Sequence, residues 1–325
     1  MKKFAHFNAK TLDEAVSILE RYRGKANVIA GGTDLLGQMK DRILPNNPEA
    51  LVNIKSIPGL DIITEQGGFL KIGTLALLED IAHNAVIKSK YSALAEAARR
   101  TASPHIREMG TIGGNICQDI RCWYYRNPDN RFPCLRKGGG RCYALDGDKR
   151  YHSIFGGSVK EGCLAVHPSD TAPALVSLGA YVQTTKRKIH IDDFFQVEIS
   201  RTTVLDDKEI VTEIQIPEPA KNSRSAFLKY AFRKSIDFPI VNCAVSVTSA
   251  GGQVESARIC LNAVFVKPYR ATKAEEYLIG KKITKANAER AGKAAVDDAK
   301  SFEENDYMVN AAKALVTRAV LSCAE

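Results

Sequence analysis

Apolar residues at helical spacing (Leu12, Ala15, Val16, Leu19) follow the pair Thr11 and Glu14, a capping-box signature, and predict a first helix over 12–22. Residues 28–30 predict a short strand, Gly31 and Gly32 a turn, and residues 34–39 a helical turn. Strands are expected over 51–54, 61–64 and 69–73. A helix over 74–87 is expected next, with Thr74 at its cap, and another over 91–102 that stops before Ser103 and Pro104. A second glycine turn, TIGGN, occupies 111–115. From 171 a helix runs to Gly179, and β pattern resumes over 188–195 and 209–217. Pro217, Pro219 and the polar run 221–225 mark a boundary. Alternation over 226–233 and 241–264, turning at Gly251 and Gly252, then predicts a β-meander, and the pattern is helical from Tyr269 onward.

The fold class is therefore α+β. A first domain is expected over 1–220, and a second over 221–325 built from three antiparallel strands and a small helix bundle. With 325 residues, 45% apolar and 26% charged, the chain has ordinary globular composition for two or three domains. Its N-terminus is basic but lacks an apolar stretch behind the charge, and no run reaches the roughly 18 apolar residues of a spanning helix. A cytoplasmic protein is expected.

The stretch from 111 to 170 breaks the periodicity. It holds five of the eight cysteines: Cys117, Cys122, Cys134, Cys142 and Cys163. Turn-formers and charges lie between them (NPDNRFP, KGGG, DGDKR), too few apolar residues for a core of their own. Thiolates gathered on a metal centre are the expected fixative, and in a cytosolic chain metal or redox chemistry outweighs disulfides. Cys243, Cys260 and Cys323 sit in apolar surroundings and read as plain buried thiols.

The formal net charge is +9, which raises nucleic acid as a partner, but its distribution argues otherwise. Between Arg121 and Arg150 basic residues outnumber acidic ones by five. Such charge would offset a negatively charged thiolate cluster, or would offer an acidic carrier a docking face that includes Arg131, Arg136 and Lys137. Strand, glycine turn and helix start over 28–35 make a nest for phosphate oxygens, and two such turns could converge on one pyrophosphate. No nucleophile with an adjacent base stands out, so no catalytic residue is assigned.

An ordered series of motifs, AGGTDLL (30–36), IGTLALLEDI (72–81), ASPHIREMGTIGGNI (102–116), HPSDTAPALVSLGA (167–180), FLKYAFRKSIDFPIV (227–241) and RICLNAVFVKPYRATKAEEYLIG (258–280), resembles the FAD-binding medium subunit of molybdenum hydroxylases. That family includes xanthine dehydrogenase and carbon monoxide dehydrogenase. Between Asn115 and Asp170 the chain carries some forty extra residues, at about 118–164, which resembles the β subunit of 4-hydroxybenzoyl-CoA reductase. The resemblance implies a vanillyl-alcohol-oxidase-type FAD-binding domain of two α/β subdomains, with a [4Fe-4S] cluster in the insertion on Cys122, Cys134, Cys142 and Cys163. Cys117, two residues past the glycine turn, is left out. The gap from Cys142 to Cys163 is longer than that reductase leads one to expect.

The resemblance also implies that FAD lies between Val28, Ile29, Ala30, Gly31, Gly32, Thr33, Asp34, Leu35 and a second wall of Thr111, Ile112, Gly113, Gly114, Asn115. Asp170 would hold the ribose side, and Lys229 would approach the flavin. The implied function is electron transfer between an external carrier, ferredoxin or else NAD, and two partners: a small [2Fe-2S] subunit and a large molybdenum-cofactor subunit. The implied assembly is a dimer of heterotrimers. A zinc-stapled scaffold is the non-enzymatic alternative.

Overall fold

Thr11 opens the first helix: its Oγ1 accepts from the Glu14 amide at 3.1 Å, while Glu14 Oε2 reaches back to the Lys10 amide at 2.7 Å. The computed structural model describes residues 1–157, 162–196, 198–199 and 201–324. Its first unit comprises β1 (Ala5–Asn8), α1 (Leu12–Tyr22), β2 (Ala26–Ile29), α2 (Leu35–Lys40) and β3 (Ala50–Asn53). The three strands pair in parallel in the order β1-β3-β2. Ile18 and Leu19 of α1 are buried in one cluster with Val52 and Ile54, each stabilising the unit by roughly 1.5–3 kcal/mol.

The second unit starts with β4 (Ile63–Gln66) and β5 (Phe69–Gly73), followed by α3 (Leu78–His83), α4 (Ala85–Lys90), α5 (Ser92–Arg99), α6 (Pro104–Arg107) and α7 (Ile112–Ile116). The single helix expected over 74–87 is thus two short ones, because Asn84 interrupts it. Asn84 Oδ1 accepts from the amides of Val86 and Ile87 at 3.0 and 3.1 Å and restarts the chain as α4. Thr74 is no cap. It is buried, with its amide bonded to Thr212 O and its carbonyl accepting from Gly113. The TIGGN turn is itself a helix start, since Thr111 Oγ1 accepts from the Gly114 amide at 3.1 Å.

The unit closes with α8 (Thr171–Ser177), β6 (Tyr181–Thr184), β7 (Lys188–His190), α9 (Ile191–Phe194) and β8 (Val211–Pro217). The strand expected over 188–195 ends at His190, whose Nδ1 accepts from the Asp192 amide and caps α9. The five strands pair antiparallel in the order β4-β5-β8-β6-β7.

The third unit has β9 (Ser223–Tyr230), β10 (Val241–Ala250), β11 (Gln253–Asn262), β12 (Tyr269–Arg270), α10 (Thr272–Leu278), α11 (Lys285–Ala294) and α12 (Asp306–Leu321). The sheet order is β12-β11-β10-β9, so a two-residue edge strand joins the three expected. Both faces are covered. Phe227, Ala244 and Cys260 join the core shared with α5 and α8, while Cys243, Val245 and Ile259 pack under α10, α11 and α12. Cys243, Cys260 and Cys323 are buried free thiols. Among the described residues no helix is long and apolar enough to cross a membrane.

Candidate functional site

Two cavities hold the chemistry-bearing residues, and the segment 118–164 touches both. The larger, about 550 Å³, lies where β2 runs into α2, against α7 and the segment 201–211. Every residue expected at FAD lines it except Ile112, which is in the core, and Lys229. Gly31 is required by close approach: a Cβ there would lie 1.9 Å from Met109 O. Gly32 has φ +73°, a left-handed conformation that favours glycine. Among the described residues, no protein acceptor pairs the amides of Gly31, Gly32, Thr33 and Asp34. They are the donors this cavity offers an anion.

The second wall works differently from what its glycines suggest. The amides of Ile112, Gly113 and Gly114 are committed to Ala76 O, Thr74 O and Thr111 Oγ1. Gly113 is needed because a Cβ would meet Thr74 Oγ1 at 1.9 Å. Gly114 is exposed on the cavity, and its Cβ would meet only Thr111 Oγ1, at 3.1 Å. This wall therefore supplies a bare surface, with the 31–34 loop supplying the amides. Gly114→Ala is expected to leave the fold intact and weaken FAD binding about tenfold, or ~1.4 kcal/mol, measured as flavin retained on dilution. Full flavin retention would place the cofactor elsewhere.

Asp170 and Lys229 form a buried ion pair at 2.6 Å, each side chain 3% exposed. Burial pushes the Asp170 carboxyl up, and Lys229 and the Asn242 amide offset only part of this. Lys229 Nζ also donates to Arg100 O at 3.0 Å, so it stands behind the cavity wall and orients Asp170, which does line the cavity. Asn115 Oδ1 accepts from Ser169 Oγ at 2.5 Å and Thr171 Oγ1 at 2.6 Å, joining α7 to the Asp170 turn.

Several lining residues were not anticipated. Ala102 and Ile236 have φ of +47° and +68°, rare for residues with a Cβ and a cost of about 1–3 kcal/mol each. The Ile236 amide donates to Ala102 O at 3.0 Å, which holds both in place beside the cavity. Phe238, next to them, lies under the Arg121 guanidinium at 4.0 Å. The motif FLKYAFRKSIDFPIV contains Ile236 and Phe238, but nothing in its spacing marks them as lining residues.

Asp34 is the junction between this cavity and the insertion. Its carboxylate accepts from Arg126 Nη1 at 2.7 Å, Arg121 Nη2 at 3.0 Å, the Asp119 amide at 3.0 Å and Gln38 Nε2 at 2.9 Å. Burial would raise the Asp34 carboxyl, but the two arginines and the amide outweigh it and hold it below the usual carboxylate range.

The smaller cavity, about 20 Å³, is lined by Cys122, Cys134, Cys142 and Cys163 together with Tyr124, Tyr125, Tyr143 and Arg136. Cys117 lines the large cavity instead. His152 Nε2 lies 3.2 Å from Cys122 Sγ, and Arg136 Nε donates to Cys163 Sγ at 3.3 Å. Burial pushes the Cys122 thiol up to about 12 and lowers His152 to about 4. Among the described residues, no three or more His, Cys, Asp or Glu side chains form a group that could hold a metal ion.

The insertion also has small cores of its own, contrary to the expectation from its composition. Ile120, Tyr125, Cys134 and Cys163 pack with Ile43 and Val266, and Cys142, Ala144 and Leu164 form a second cluster. It is clamped from outside as well: Asn305 Nδ2 donates to His152 O at 3.1 Å, and Tyr307 OH to Arg150 O at 2.8 Å. Of the three basic residues considered for a docking face, only Arg131 is exposed. Lys137 is buried with its Nζ on Tyr125 O, and Arg136 is turned to Cys163.

Residues 2–219 match the family described as the FAD binding domain in molybdopterin dehydrogenase, and residues 226–323 match the CO dehydrogenase flavoprotein C-terminal domain. The chain belongs to the FAD-binding medium subunits of the molybdenum hydroxylases. Within that family, the FAD-binding subunit of an aldehyde oxidoreductase of Escherichia coli K12 is 34% identical over 289 residues, 86% of each chain. The carbon monoxide dehydrogenase medium chain of Hydrogenophaga pseudoflava is 28% identical over 322 residues, 98% of this chain and 96% of that one. A solved carbon monoxide dehydrogenase from the same organism, lacking the Mo-pyranopterin moiety of its cofactor, matches with a TM-score of 0.77 at 26% identity. The match covers 100% of this chain and 99% of that chain. The chain is thus a flavoprotein subunit belonging to an oxidoreductase family.

Proposed function

We propose that this subunit passes electrons through FAD and a [4Fe-4S] cluster, the cluster held by Cys122, Cys134, Cys142 and Cys163. The observation that carries this reading is the convergence of those four cysteines, spread over the insertion, on one small cavity, with Arg136 Nε donating to one sulfur and a His152 ring nitrogen beside another. A zinc ion about 2.3 Å from each thiolate would need a tight single-ion group, whereas a cube-type cluster is a wider object. When bound, the flavin would supply exchange between one- and two-electron steps, and the cluster a one-electron store.

The protein's own residues hold and orient these groups. The 31–34 amides would hold the pyrophosphate, Asp170 is aimed into the cavity by Lys229 and Asn242, and Asp34 fastens the insertion beside it. The domain division runs at about residue 220, with the insertion at about 118–164. The partners are a small [2Fe-2S] subunit and a large molybdenum-cofactor subunit, assembled as a dimer of heterotrimers in the cytoplasm, and ferredoxin is the external carrier. Substrate chemistry belongs to the large subunit, and the complex resembles 4-hydroxybenzoyl-CoA reductase.

The test is metal and flavin analysis of the complex purified without oxygen, followed by reduction assays. About four irons and one FAD per chain, with rapid flavin reduction by ferredoxin, are expected. One zinc in place of iron would establish a structural staple, and rapid reduction by NADH alone would establish an NAD-linked enzyme.

A further inference from the structure

Two side-chain nitrogens reach sulfurs at the cysteine cavity, one from Arg136 and one from His152. Arg136 Nε donates to Cys163 Sγ at 3.3 Å and Nη1 to Ile199 O at 3.0 Å, so two of the three guanidinium nitrogens are held. Its Nη2 is buried with no partner among the described residues. His152 approaches Cys122 from the opposite end of the insertion. We infer that Arg136 sets the reduction potential of the proposed cluster, acting through Cys163 as a positioning residue.

The inference rests on the cluster reading above and follows from electrostatics. Each electron added to a thiolate cluster increases its negative charge. N–H donors to sulfur and fixed cations stabilise that more negative state, and so raise the potential. Arg136 provides both at once. The site is also poorly solvated, since Cys134, Cys142 and Cys163 are buried and tyrosines complete the wall, so the charge acts with little screening. A basic residue that composition suggests is a surface feature therefore has an interior role.

The experiment is a redox titration of the iron–sulfur absorbance and paramagnetic signal in the purified complex, with iron counted in each sample. Arg136→Gln removes the charge, and Arg136→Lys keeps it while losing the planar fork. With about four irons retained, Arg136→Gln is expected to disfavour the reduced state at least tenfold, a fall of about 59 mV for a one-electron couple. Arg136→Lys is expected to fall in between. Unchanged potentials with full iron content would overturn the inference. If Arg136→Gln loses its iron, Arg136→Lys decides alone: a wild-type potential overturns the inference and a lowered one supports it. Wild-type complex without iron would overturn the cluster reading itself, a result separable from a cluster whose potential ignores Arg136.

Discussion

Cys142→Ser is expected to reduce iron from about four per chain to well under two, while Cys117→Ser leaves it unchanged. The contrast follows from where the two thiols lie. Cys142 is buried in the small cavity with Cys122, Cys134 and Cys163, whereas Cys117 follows α7 and lines the large cavity. A serine oxygen is a harder and poorer ligand for iron than a thiolate, so one ligand lost from four opens the cage. For Cys142→Ser, flavin content provides the internal control, because Cys142 lines the small cavity and not the large one. Loss of iron in Cys117→Ser with retention in Cys142→Ser would reverse the ligand assignment.

Asp34→Asn is expected to lower iron and flavin together, with a destabilisation of roughly 3 kcal/mol. Arg121 and Arg126 converge on this carboxylate, and an amide in its place leaves two partly buried guanidiniums facing each other without their counter-ion. The acid sensitivity has a definite sign. A carboxyl held below its usual range stabilises fully above the unfolded-state pKa, and the contribution is lost as pH falls through the folded value. Wild type should therefore shed flavin on acidification below about pH 4, a step the Asn variant lacks. Chemical denaturation and flavin release, followed against pH in both proteins, measure this. Equal cofactor content in the variant and wild type at neutral pH would remove Asp34 from its place as the junction.

Periodicity located most elements, and the failures have local causes. The range Leu12–Tyr22 was readable because a cap and an apolar stripe agree, and Phe69–Gly73 because alternation is bounded by glycines. Over 74–87 the apolar pattern continues without a break, but Asn84 offers the backbone a competing partner, a signal weaker in sequence than a proline. At TIGGN the glycines suggested free amides. Tertiary contacts decided otherwise, because Thr74 and Ala76 come from far along the chain to take them. Lys229 was placed near the flavin on resemblance, and its burial against Asp170 appears only once β9, β10 and the 170 turn are brought together. Arg136 and Lys137 read as surface charge because composition reports how many basic residues a segment has and not which way they point.

Asp34 also bears on the order in which the subunit matures. It lies 87 and 92 positions before Arg121 and Arg126, so during synthesis the flavin loop emerges long before the residues that complete it. A nascent chain that stops short of the insertion has the glycine loop but not its clasp. Closure of the insertion onto Asp34 thus comes after the glycine loop is made, and a settled 31–34 loop waits on residues synthesised later in the chain.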